Sequence, residues 1–137
     1  MKGSYILVIE LKDGKTIQIG KLGKISFKKG HYVYVGSALS GLEHRINRHL
    51  KKTKKKHWHI DYFLSNSRII DVFYKESQTK IECDIAGTLN KNLDSISGFG
   101  CSDCRCKSHL FYGTHEKIRL VLKDLKMIHF EMKNQIN

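Results

Sequence analysis

The sequence predicts an α+β domain, a small and mainly antiparallel β-sheet flanked by helices. Three observations predict it. Short stretches either alternate loosely or are rich in β-branched and aromatic residues, as at 4–11, 32–35 and 68–74. Apolar stripes at helical spacing lie between and after them, such as Leu42, Ile46 and Leu50. Turn signals, chiefly Asp13-Gly14 and Gly98-Phe99-Gly100, separate the segments. A length of 137 residues fits one domain, and 40% hydrophobic content suffices for one core. No internal repeat is visible, and the absence of proline argues against a disordered linker.

Taken in order, residues 4–11 read as a strand, Asp13-Gly14 as a hairpin turn and 16–19 as the return strand. Gly20, Gly23 and residues 25–27 read as an inserted hairpin. Tyr32 and Tyr34 then alternate with Val33 and Val35, and Gly36 is expected to break that strand in a tight turn. Ser40 and Glu43 have capping-box spacing, which predicts a helix with Leu42, Ile46 and Leu50 on one face and Arg45, Arg48 and Lys52 on another. KKTKKK is a cationic connection, and HWHIDYFL a short helix packing through Trp58, Ile60, Phe63 and Leu64. A strand at 68–74 is followed by a helix over 77–89 with Ile81, Ile85 and Leu89 in register, then a loop over 90–100. A short strand at 109–112 precedes a last helix, capped by Thr114 and running from 115 to about 133, with Ile118, Leu122, Leu125 and Met132 on its stripe. The expected organisation is a main body, 1–113, with a C-terminal helix, 114–137, packed on the same domain.

The formal net charge is +12, and the excess clusters at Arg45, Arg48, Lys51, Lys52, Lys54, Lys55 and Lys56. Such a footprint suits a polyanion. A solvated basic loop or acidic lipid are the alternatives, and the arginines within the helix favour phosphate. The longest apolar run, 5–9, is far short of the roughly 20 residues that span a bilayer. Glu10, Lys12 and Asp13 follow it at once, so it is no signal-peptide core either. A cytoplasmic protein without membrane partners is expected, and its four cysteines are expected to be thiols or metal ligands rather than structural disulfides.

Gly3-Ser4-Tyr5, then Tyr34-Val35-Gly36 with Ser37 after it, and Arg45 one turn into a helix together resemble the GIY-YIG nuclease domain. WHIDYFL from Trp58, IEC around Glu82 and GFGCSDCRCKSHLF from Gly98 resemble a GIY-YIG-related family of small uncharacterised proteins, found alone or fused to endonuclease III-like glycosylases. The resemblance covers nearly the whole chain up to about Tyr112. It implies a metal-dependent endonuclease that hydrolyses phosphodiester bonds in DNA, in a repair setting, with Mg²⁺ or Mn²⁺ and no small-molecule cofactor. Such cleavage needs a nucleophilic water, charge relief on the phosphate and usually a metal acting as Lewis acid. By resemblance, Tyr5 and Tyr34 project toward one site and one of them takes or orients the water's proton. Arg45 contacts the scissile phosphate, His49 orients a tyrosine or a phosphate, and Glu82 holds the divalent cation. Ser37, Arg48, Lys51, Lys52, Lys54, Lys55 and Lys56 bind the nucleic-acid backbone. Read without the resemblance, the tyrosines fill a sheet face, Arg45 and His49 sit on a helix surface, and Glu82 completes a capping box with Thr79.

The family's asparagine after the glutamate has no counterpart placed by a motif, and Ser102, Asp103 and His109 are the alternative residues to complete the site. Cys101, Cys104, Cys106 and His109 offer a tetrahedral zinc set. A Cys-x-Cys pair is awkward for a single ion, so Zn²⁺ is not expected there and reduced thiols are. His57, His59 and Asp61 also resemble ligands, but the lysine run beside them disfavours a cation. Two rival readings remain: a nucleic-acid-binding module that keeps the fold without turnover, and a structural zinc domain that binds protein. The deciding observation is whether Tyr5, Tyr34, Arg45 and Glu82 converge on one cleft.

Overall fold

The first strand sends Tyr5, Leu7, Ile9 and Leu11 to one side and Ile6 and Val8 to the other, and all six side chains are buried. A strand buried on both faces needs a packed layer above and below. The computed structural model, which describes residues 1–101 and 105–132, supplies both. Its elements are β1 Gly3–Leu11, β2 Lys15–Ile19, β3 Gly23–Phe27, β4 Gly30–Ala38, α1 Leu42–Leu50, α2 His59–Leu64, β5 Arg68–Glu76, α3 Glu82–Asn92, β6 Asp94–Ser95, β7 Leu110–Gly113, α4 His115–Leu125 and β8 Ile128–His129. The main sheet has the order β6-β7-β4-β1-β5-β8, with every neighbouring pair antiparallel. On one face lie α1, α2 and the β2–β3 pair, contributing Leu42, Ile46, Ile60, Phe63, Ile17 and Ile19 to a core with Tyr5 and Leu7. On the other, α3 and α4 bury Ile85, Leu89, Ile118 and Leu122 against Ile6, Val8, Val33 and Val35. This is the expected α+β class.

Several expected boundaries move, each for a local reason. The 4–11 strand does not form a hairpin with 16–19. Both edges of β1 are taken by β4 and β5, and β2 pairs instead with β3 in a separate two-stranded sheet resting on α2. Gly36 does not break its strand, which continues to Ala38. It sits opposite Tyr5 in the β1–β4 register, where a Cβ would overlap the Tyr5 ring. Its role is room rather than a turn.

The Ser40–Glu43 capping box is absent. α1 starts after Gly41, whose carbonyl accepts from Arg45 N–H, while Leu42 N–H bonds Met1 O. α3 begins at Glu82 rather than at residue 77, because Ser77 Oγ ties itself to Thr79 and offers the backbone a turn instead of a helix. No side chain caps α3, so Glu82 is not half of a capping box. Thr114 does cap α4, accepting from Lys117 N–H at 3.1 Å. That helix stops at Leu125, where Lys126 enters the left-handed region with φ 53°. The chain then reverses to lay β8 along β5, pairing Tyr74 with Ile128, and Met132 joins the opposite core rather than the α4 stripe.

The glycine at 36 carries a testable cost. Gly36→Ala is expected to lower stability by about 1–3 kcal/mol, the usual range for overpacking a filled core. In a Tyr5→Leu background the same change should cost much less, and a double-mutant cycle by urea denaturation that shows no coupling would refute the packing account.

Candidate active site

The β1–β4 register puts Tyr5 opposite Gly36 and Tyr34 opposite Leu7, so the two tyrosines share one face as diagonal neighbours with ring centroids 6.5 Å apart. α1 crosses above them. Its Arg45 and His49 are one turn apart and therefore on one side of the helix. The His49 ring lies 5.4 Å from the Tyr5 ring and 6.1 Å from that of Tyr34. A 2.6 Å hydrogen bond joins the Tyr5 hydroxyl to His49 Nε2. His49 is 2% exposed, and burial pushes its pKa down to about 3 against the pull of Asp61. The imidazole is therefore neutral at physiological pH. Its Nδ1 is buried and has no hydrogen-bond partner among the described residues. Burial raises both tyrosine pKa values well above the ordinary phenol, while the Arg45 charge acts on each in the opposite sense.

Arg45 lies 4.6 Å over the Trp58 ring and donates from Nη1 to Ser37 O at 3.1 Å. Stacking and one carbonyl hold the guanidinium in place while leaving most of its five donors unspent. Arg48, expected among the phosphate-binding cations, is committed elsewhere. It also stacks on Trp58, at 4.4 Å, and forms a two-pronged pair with Asp61 at 2.9 and 3.0 Å. Asp61 further accepts from His57 and Trp58 N–H, at 2.8 and 2.9 Å. Burial works against the Asp61 charge, yet Arg48 and these two N–H groups hold the carboxyl below its usual range. Lys54 is also structural, donating to His49 O and Lys51 O at the C-terminal end of α1. Lys51, Lys52, Lys55 and Lys56 are exposed.

Glu82 reaches the same place from the opposite layer. As the first residue of α3, it lines a cleft of about 430 Å³ together with Tyr5, Tyr34, Ser37, Arg45 and His109. Its carboxylate is 12% exposed and lies 3.5 Å from Lys80 Nζ and 3.8 Å from His109 Nδ1. His109 is 4% exposed, and burial lowers its pKa while Glu82 opposes the shift. Its backbone is fixed by bonds to Phe99 O and from Val35 N–H. The cleft thus gathers Tyr5, Tyr34, Arg45 and Glu82, with His49 directly behind Tyr5.

Of the cysteine-loop set, Cys101, Cys106 and His109 fall within the described residues. Cys101 donates its thiol to Phe99 O at 3.4 Å. Cys106 and His109 instead meet Cys83, the residue after Glu82, with their ligand atoms all within 4.8 Å of one another. Ser102, Asp103 and Cys104 lie outside the described residues. His57 and His59 line the cleft, but His59 Nδ1 accepts from Gly100 N–H and Asp61 is held by Arg48, so they form no ligand set with it. Sequence reading passed over Cys83, Lys80 and the Trp58 platform. The IEC run around Glu82 was the signal available for Cys83, while nothing local announces the other two.

Buried His49 gives acid stability a defined direction. The unfolded chain takes up a proton near pH 6.5 that the folded chain refuses until about pH 3, so stability falls as pH is lowered through that window. One such group contributes a slope approaching about 1.4 kcal/mol per pH unit. His49→Gln, which cannot protonate, is expected to flatten urea-derived stability across this window. Equal slopes for the two proteins would mean that His49 is charged when folded.

Among curated proteins and among solved structures, no match is found. Residues 4–130 match the family model described as Domain of unknown function DUF123, and a match over nearly the whole chain shows that the protein belongs to that family.

Proposed function

We propose that the cleft is the active site of a GIY-YIG-type endonuclease that hydrolyses phosphodiester bonds in DNA with the aid of Mg²⁺ or Mn²⁺. The observation that carries this reading is the convergence of Tyr5, Tyr34, Arg45 and Glu82 from four separate elements on one cleft, with His49 bonded to Tyr5.

The donor set suits a hard cation. Such ions keep several waters and bind through one or two carboxylates plus substrate phosphates, and Glu82 offers one partly exposed carboxylate at the cleft wall. Held there, the cation would supply Lewis-acid relief of charge on the phosphate. Arg45 would present its planar fork to a non-bridging phosphate oxygen, already oriented by Trp58 and Ser37. Tyr5 is protonated in the resting site, and with His49 in its Nδ1-protonated form the phenol donates to Nε2. The Tyr5 oxygen is then left to accept from an attacking water. Tyr5 then orients that water, the nearby Arg45 charge favours negative character on the phenol oxygen, and His49, which burial keeps neutral, fixes the phenol rather than taking its proton.

Lys80 favours a second reading. Its ammonium lies against Glu82 at 3.5 Å, which is where a cation would bind, and an ammonium held there would leave a module that grips DNA without cutting it. Supercoiled plasmid separates the two. Wild type should nick it with Mg²⁺ or Mn²⁺, and Glu82→Gln and Arg45→Ala should each lose roughly 10²-fold or more while keeping the fold. Glu82→Gln should bind DNA no more weakly than wild type, because it removes negative charge beside a polyanion. Binding without nicking by wild type would select the inactive module, and nicking that survives Glu82→Gln would exclude that carboxylate as the metal ligand.

The salt dependence of binding tests the basic surface separately. Lys52, Lys55 and Lys56 are exposed. Replacing all three with Gln should reduce the slope of log affinity against log salt by up to about 2.7, at roughly 0.9 per neutralised phosphate. An unchanged slope would make the run a solvated loop.

A further inference from the structure

We propose that Cys83 Sγ, Cys106 Sγ and a ring nitrogen of His109 form a zinc site beside the cleft. The three residues come from the first turn of α3, the loop before β7 and the residue that enters β7, so only the fold brings them together. They are the only group of three potential metal ligands that converges among the described residues. Tetrahedral zinc, with Zn–S about 2.3 Å and Zn–N about 2.0–2.1 Å, needs ligand atoms roughly 3.6–3.8 Å apart. The three ligand atoms lie within 4.8 Å of one another, about an ångström beyond that spacing.

The donors choose the ion. Two thiolates and an imidazole favour zinc over the hard cations that suit Glu82, so adjacent residues 82 and 83 would serve two different metals. Cys83 lies in the first turn of α3, next to Glu82. His109 is buried and its backbone is bonded on both sides, so one ligand is already rigid. Cys83 is exposed, which leaves the fourth vertex to solvent.

The site also bears on Glu82. With His109 Nε2 on the ion, Nδ1 keeps its proton and faces Glu82 Oε2, 3.8 Å away. A carboxylate, a histidine and a zinc in that order form a relay that fixes both the tautomer of the ring and the direction of the carboxylate. His109 would then be a positioning residue for Glu82.

The test uses metal content, without nucleic acid, so its outcome is independent of whether the cleft cuts DNA. Protein purified under reducing conditions from zinc-supplemented medium should carry about one zinc per chain by mass spectrometry. Cys83→Ser should bind zinc roughly tenfold or more weakly while keeping its circular dichroism, since Cys83 is exposed. Cobalt(II) added to the metal-free wild type should give a thiolate-to-cobalt charge-transfer band that weakens in Cys83→Ser. This comparison stands even where Cys106→Ser fails to fold. Wild type with neither zinc nor that band would overturn the site. So would zinc that survives Cys83→Ser but leaves with Cys101→Ser or Cys104→Ser, or a Cys83–Cys106 disulfide in the reduced preparation.

Discussion

The double-sided burial of β1 is the constraint on which everything else in this molecule depends. With both faces covered and both edges paired, the strand has no freedom of register. A slip of one residue would turn Tyr5 toward the α3–α4 layer and Ile6 toward the α1–α2 layer. The same register sets Tyr5 against Gly36, which has no side chain to compete for the space. The phenol therefore reaches past β4 to the underside of α1 and meets His49. A catalytic geometry would here be a by-product of sheet pairing.

Around that strand the cationic residues divide their labour by burial. Arg48 and Asp61 are locked to each other and to two backbone N–H groups, and Lys54 closes the end of α1. Removing partly exposed Arg48 would leave the buried Asp61 carboxylate without its counter-charge, which is destabilising. These charges are architecture. They hold Trp58 beneath Arg45, so a structural ion pair supports a guanidinium that faces the cleft. Lys51, Lys52, Lys55 and Lys56 stand outside this network, exposed and screened by solvent.

The opposite wall is built from α3 and the segment before β7, where chemistry changes over a single residue. Glu82 turns a hard oxygen donor toward the tyrosines, while Cys83 turns a soft donor toward Cys106. His109 stands between the two. The cleft is assembled from both layers of the domain, so its walls cannot move apart without disturbing one of the two cores.

Much of this was legible in the residues themselves. Alternation and apolar stripes identified the α+β class, the strands at β1, β4 and β5 and the core faces of α1 and α2. The Thr114 cap was also readable, because all these signals act between neighbours in sequence. The tyrosines, Arg45, His49 and Glu82 were marked by their resemblance to a nuclease signature. Local signals failed where a distant partner overruled them. Asp13-Gly14 promised a hairpin that β4 and β5 had already displaced, Gly36 promised a turn where an aromatic ring needed room, and the Ser40 cap lost to a start at Gly41. The meeting of Tyr5 with His49, of Arg48 with Asp61 and of Cys83 with Cys106 joins residues far apart in the chain. Sequence by itself determined which side chains were available and most of the segments that became strands or helices. Only tertiary structure decided which of them touch, because contact across a sheet is set by register and by the packing of layers, and neither is encoded within any one segment.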